Sequence, residues 1–202
     1  GTEAIPSDSD ISHSGELGLD VQAQSFGENI YAVNTSASTV TKWIVNKTTL
    51  EPNVAGVISF ASSGITTGRT LTFATETQAY LADLVEGSIL EFNPETMEII
   101  KVHDVDQAVP GGTDGFITYM WQGFLLNNGK VGWHLNHVAD AECCTNPIPD
   151  QVPALGIFDP ATGQISYKYD DRLPYGGFAR VQSDGNVYLS PNSYMAMNDY
   201  YF

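Results

Sequence analysis

Between positions 134 and 144 the chain gathers His134, His137, Asp140, Glu142, Cys143 and Cys144. Imidazole, carboxylate and thiolate are the donors that divalent transition metals accept, so the set reads as half of a mixed nitrogen, oxygen and sulfur site. The spacing works against it. On a strand, positions three apart point to opposite faces, so His134 and His137 converge only where the chain turns after Asn136. Beside Trp133, His134 also reads as an ordinary strand residue.

Cys143 and Cys144 are the only cysteines. Paired with each other they form a vicinal disulfide, a strained ring, because neighbouring Cα atoms lie only about 3.8 Å apart. Such a bridge is expected in an oxidising compartment; pairing between molecules and two free thiols stay open. Asp8-Ser9-Asp10-Ile11-Ser12 alternates oxygen donors like a calcium loop, but His13 stands where the sixth-position glycine is needed. The expected cofactor is therefore a divalent metal, calcium or a transition ion, if any.

Two further sets suggest ligand binding. Asn34, Asp83 and Asn136 each end an aromatic strand and read either as a polar ring at a pocket mouth or as turn caps. Arg69 and Arg172 stand among only 8 cations, each where the chain enters a new repeat. They read as an anion-binding pair or as salt-bridge partners of nearby aspartates. Trp133 joins this ligand set, with packing between repeats as its other reading.

These residues hang on a repeated unit. Phe92-Asn93-Pro94-Glu95-Thr96 returns as Phe158-Asp159-Pro160-Ala161-Thr162, and the aromatics Tyr31, Tyr80, Trp133 and Tyr188 recur at intervals of 49, 53 and 55 residues. That period belongs to propellers and solenoids. Fourteen runs rich in β-branched and aromatic residues, at 21–26, 29–34, 39–45, 57–61, 69–75, 79–83, 88–93, 98–103, 117–126, 130–136, 154–159, 164–169, 178–182 and 186–190, are bounded by Gly, Asn, Asp or Pro and predict strands. Turn signals at 26–29, 75–78, 127–130 and 183–186 join the first two strands of each unit. Four antiparallel strands per unit predict an all-β fold, a β-propeller. Its blades span about 21–61, 69–103, 117–169 and 178–202, after an arm or closing strand at 1–20.

Tyr31-Ala32-Val33-Asn34, followed by Ser38-Thr39-Val40-Thr41 and Thr48-Thr49-Leu50, resembles the Tyr-Val-Thr-Asn-type repeat of bacterial and archaeal surface and periplasmic β-propellers. The resemblance covers residues 20 to 192 and implies a blade, which many functions share. Members of that class usually close with about seven blades. Three complete units and the first two strands of a fourth are present here. A small four-bladed ring, a fragment of a larger propeller, or two copies joined into one ring account for that count, the fragment being favoured.

With 24 acidic against 8 basic residues, a formal charge of -16 over 202 residues repels phosphate backbones, so nucleic acid is excluded as a partner. No apolar run approaches the roughly 18 residues of a membrane span. Asn34-Thr35-Ser36 and Asn46-Lys47-Thr48 fit the glycosylation pattern. The expected location is extracellular, cell-surface or periplasmic.

Unit three carries about a dozen extra residues between its aromatic and its Phe-Asp-Pro phrase. The leading expectation is a binding protein, not an enzyme, that engages a small ligand or protein partner on the face carrying this 137–153 insertion. The alternatives are a propeller enzyme (a metal-dependent hydrolase, lactonase or lyase, or a redox protein) and a structural surface-layer or filament subunit that self-assembles or pairs with the rest of the propeller.

Overall fold

The computed structural model describes residues 21–65, 70–84, 86–108, 116–139, 152–169, 178–181, 183 and 185–190. The expected arm at 1–20, and Arg69, Asp140, Glu142, Cys143, Cys144 and Arg172, lie outside these residues. Among those described the structure is all β. Sheet one is β1 (Val21–Phe26), β2 (Asn29–Asn34), β3 (Thr39–Val45) and β4 (Pro52–Ser59). Sheet two is β5 (Leu71–Thr75), β6 (Gln78–Asp83), β7 (Ser88–Asn93) and β8 (Glu98–Asp104). Sheet three is β9 (Phe116–Leu125), β10 (Val131–Ala139), β11 (Val152–Asp159) and β12 (Gln164–Tyr169), followed by the hairpin β13 (Phe178–Val181) and β14 (Val187–Ser190). Each sheet keeps its strands in sequence order. These are three four-stranded propeller blades and two strands of a fourth, as the repeat predicts.

The chain divides into two compact units, one holding the first two sheets and the other the third sheet and the hairpin. In the first unit the central strands of sheet two are buried on both faces, and residues two apart on a strand share a face. Tyr31, Val33, Val40 and Ile58 of sheet one share a core with Leu71, Ala79, Leu81, Leu90 and Phe92 of sheet two. Each Val, Leu, Ile or Phe side chain among them contributes about 1.5–3 kcal/mol on burial. Phe26 stacks on Phe73 with ring centroids 4.4 Å apart, and Tyr31 tilts against Phe73 at 4.8 Å.

The recurring phrase is a side-chain-capped turn. Asn93 Oδ1 accepts from the N–H groups of Glu95 (2.8 Å) and Thr96 (3.2 Å), and the Asn93 carbonyl accepts from Met97 N–H at 2.8 Å. Asp159 Oδ1 accepts from Ala161 N–H at 3.0 Å, and its carbonyl from Gly163 N–H at 2.8 Å. Sheet one builds the same turn without the proline: Asn46 Oδ1 caps Thr48 and Thr49, and its carbonyl accepts from Leu50 N–H at 2.7 Å. The closing residue is left-handed in all three, with φ of 60° at Leu50, 57° at Met97 and 71° at Gly163. Lys130 Nζ sits 3.0 Å from Asp159 and, with the turn amides, holds that carboxyl below its ordinary value.

Several strand bounds depart from expectation by one or two residues, and two depart further. β4 begins at Pro52, five residues before the expected Val57, because a proline is tolerated as the first residue of an edge strand. β10 continues to Ala139, three residues past the expected end, so the extra residues of unit three partly lengthen a hairpin. In sheet three Gly132 pairs with Phe124, and a Cβ at Gly132 would lie 2.2 Å from the Phe124 ring.

Leu50→Gly is expected to stabilise the fold by about 0.5–1 kcal/mol. Relief of the left-handed strain exceeds the entropy that glycine adds to the unfolded chain. Gly132→Ala is expected to destabilise it by about 1–3 kcal/mol through overpacking against Phe124. Urea unfolding of the two variants beside the parent checks both signs.

Candidate functional site

In each of the first two blades a four-residue connection, 35–38 or 84–87, joins the second strand to the third. In sheet three the same connection takes twelve residues, 140–151. Of the expected 137–153 insertion, 137–139 lie on β10 and 152–153 on β11, while 140–151 lie outside the described residues.

Asn34 and Asp83 occupy equivalent strand ends and are buried, at 2% and 0% exposure. Asn34 Oδ1 accepts from Ala37 N–H at 3.0 Å, which makes it a turn cap. Its burial also removes it as a glycosylation acceptor, whereas Asn46 lies exposed in its turn. Asn136 pairs with Tyr119 and Pro153 inside the sheet-three ladder. Trp133 and His134 are fully buried. Among the described residues the Trp133 indole N–H has no hydrogen-bond partner, and full burial makes this aromatic a packing residue.

The turn that would bring His134 and His137 together is not there. Both lie on one continuous strand, in unbroken register with β11 from His134↔Leu155 to His137↔Val152, so their positions alternate between faces. Among the described residues no three His, Cys, Asp or Glu side chains gather as a metal centre.

Two polar clusters in the first unit escaped the sequence reading. The first is buried on sheet two. Glu91 Oε2 lies 2.7 Å from His103 Nε2, and Glu91 Oε1 accepts from Gln78 Nε2 at 2.8 Å. Glu91 pairs across the ladder with Tyr80, whose hydroxyl is pushed well above its ordinary 10.0 by burial and then by the Glu91 charge. A carboxylate with both oxygens engaged fastens β8 to β7 and β6; it is not free to act as a nucleophile or base. Its signal was the charge inside the apolar run Ile89-Leu90-Glu91-Phe92, all buried.

The second cluster surrounds a cavity of about 450 Å³ at the hairpin-turn end of the first two sheets. The turns at 26–29, 45–52, 75–78 and 93–98 frame it, at the opposite end of the strands from Asn34 and Asp83. Its lining includes Phe26, Tyr31, Lys42, Ile44, Glu76 and Glu95. Lys42 is 8% exposed and donates to the Glu95 carbonyl at 2.9 Å, its ammonium 6.0 Å from the Tyr31 ring centre. Exposed Lys47 and Glu28 form an ion pair on the same lining.

No family model matches the sequence, and no curated protein does. Solved structures do match in fold. The chain aligns over 82% of its length with the periplasmic gluconolactonase of Pseudomonas aeruginosa, at 16% identity and a TM-score of 0.53. A candidate 6-phosphogluconolactonase from Bacteroides uniformis gives 82%, 16% and 0.50, and the N-terminal domain of Nup159 gives 81%, 10% and 0.50. The chain covers only 44%, 44% and 43% of those structures, less than half of each. At such identities the likeness shows the fold alone. With the sheet topology, it defines the chain as a set of β-propeller blades.

Because Tyr80 keeps its proton more tightly folded than unfolded, it stabilises fully below pH 10, and that contribution fades as pH rises beyond 10. Tyr80→Phe is expected to flatten the fall of stability between pH 9.5 and 11.5, a range set around the ordinary tyrosine value. Denaturation midpoints measured across that range test the sign. An unchanged slope would show that Tyr80 does not drive it.

Proposed function

We propose that these blades belong to a larger β-propeller that hydrolyses a sugar lactone. One observation carries the reading: the chain aligns over most of its length with structures named as gluconolactonases, while spanning less than half of each. The proposal favours the enzyme alternative over the binding-protein expectation. It also retains the family reading, in which the Tyr31-Ala32-Val33-Asn34 repeat belongs to exported propellers. An exported location is consistent with the periplasmic protein among those structures.

Opening a lactone requires a base that activates water and a donor to the carbonyl oxygen as negative charge develops there. Among the described residues no such set converges. In this reading it is assembled from His137 near the end of β10 and from Asp140 and Glu142 of the long connection, which are this chain's candidates, together with blades outside the chain. A function grafted on repeats resides where the repeats differ, and that connection is the largest difference among the three complete units. The charge of -16 opposes a phosphorylated substrate, so the neutral lactone is the preferred one.

The test follows acid release by the protein that carries these blades, with glucono-δ-lactone and 6-phosphogluconolactone as substrates. The expected result is hydrolysis of the neutral lactone above its spontaneous rate. The phosphorylated one should be at least about tenfold slower in kcat/KM at low salt, the gap narrowing as salt screens the field. No acceleration of either substrate rejects the enzyme reading, and lactone binding without turnover restores the binding protein.

A further inference from the structure

The cavity between the first two sheets is lined by a buried cation that no carboxylate contacts among the described residues. Lys42 is more than nine-tenths buried, and its one acceptor is the uncharged Glu95 carbonyl. None of the ion pairs among the described residues includes it. An ammonium carries three N–H groups, and burying its charge without a partner is costly. The cavity that Lys42 lines is where the missing anion fits.

Other lining residues narrow the choice. Glu76 and Glu95 present exposed carboxylates that take part in no ion pair among the described residues, whereas Glu28 is already neutralised by Lys47. A phosphate or other polyanion seated on Lys42 would meet their repulsion; a ligand that also carries a cation would be held by both charges. The same lining includes Phe26 and Ile44, the latter 47% exposed although large and apolar. The volume of about 450 Å³ lies within the range of small-molecule sites.

We propose that this cavity binds a small zwitterion, an α-amino acid with an apolar side chain. Its carboxylate sits on Lys42, its ammonium on Glu76 and Glu95, and its side chain against Phe26 and Ile44. The site lies at the opposite end of the strands from Asn34 and Asp83 and does not depend on the lactonase reading.

The probe is L-leucine, titrated into the ¹⁵N-labelled protein while amide shifts are followed. Saturable shifts are expected at Gly27, Asn29, Lys42 and Glu95. Leucinamide, which lacks the carboxylate, and N-acetyl-leucine, which lacks the ammonium, should each bind at least about tenfold more weakly. Lys42→Met should abolish the shifts, and Glu76→Gln should weaken leucine binding about threefold or more. Glu76 is an exposed turn residue, so its variant keeps the test decisive should Lys42→Met fail to fold. Three results overturn the proposal: no shifts at these amides up to about 20 mM leucine, N-acetyl-leucine or inorganic phosphate binding as tightly as leucine, or unchanged affinity in Glu76→Gln.

Discussion

The hydrogen bond from the Tyr31 hydroxyl to the Pro94 carbonyl, 2.9 Å long and buried, is the constraint on which the first unit depends. Apolar burial drives two sheets together without direction, so a core of Val, Leu and Phe leaves them free to slide. A buried hydroxyl is different, because leaving it unpaired costs about 1–3 kcal/mol. Tyr31 finds its acceptor only when the turn of the second sheet is in place. Burial and the Glu95 charge oppose Tyr31 ionisation, which keeps the hydroxyl a donor, although a hydrogen bond from the Asn29 side chain pulls the other way. Everything that shapes that turn therefore also sets the stacking of the blades. Asn93 caps it and Met97 closes it in a left-handed conformation. Gly56 on β4 leaves room for Met97, since a Cβ there would lie 2.6 Å from the Met97 Cγ. The two repeated features of the sequence, aromatic strand and capped turn, thus meet across adjacent sheets of the first unit.

The cavity follows from this interlock. Tyr31 and Lys42 are directly paired across β2 and β3, and they reach the successive carbonyls of Pro94 and Glu95. Lys42 is drawn into the interface by the register that places Tyr31, and the side chain of Glu95 comes to the rim by the same geometry. Packing repeats against one another has produced a charged recess that neither sheet forms alone.

Local signals were legible in the sequence and distant ones were not. The bounds of β1, β2, β3, β7 and β12 agree with the reading because turn residues and alternation act over a few positions. The turn of sheet one was legible only in part, because Asn46 and Leu50 reproduce the geometry without the phrase. The start of β4 at Pro52 was hidden by a residue that usually ends strands. The network of Gln78, Glu91 and His103 spans 26 positions and three strands, and no spacing rule joins them. Nothing in the sequence marks Lys42; its burial exists only once the second sheet is docked.

Repetition also constrains where function can reside. Aromatic strands and capped turns recur with the same packing role in the three complete units, so selection for stacking already accounts for them. Burial of Asn34, Asp83 and Trp133 agrees with that division of labour, because a residue sealed into the sheets meets no ligand in this arrangement. The differences that remain are of two kinds. One is the connection of twelve residues in sheet three against four in its counterparts, and loops of that length seldom serve connection alone. The other is the charge around the turns of the first two sheets, where Lys42, Glu76 and Glu95 have no equivalents imposed by the repeated phrase. The buried cation costs the fold more than the single neutral carbonyl it meets returns, and that argues for a role in recognition.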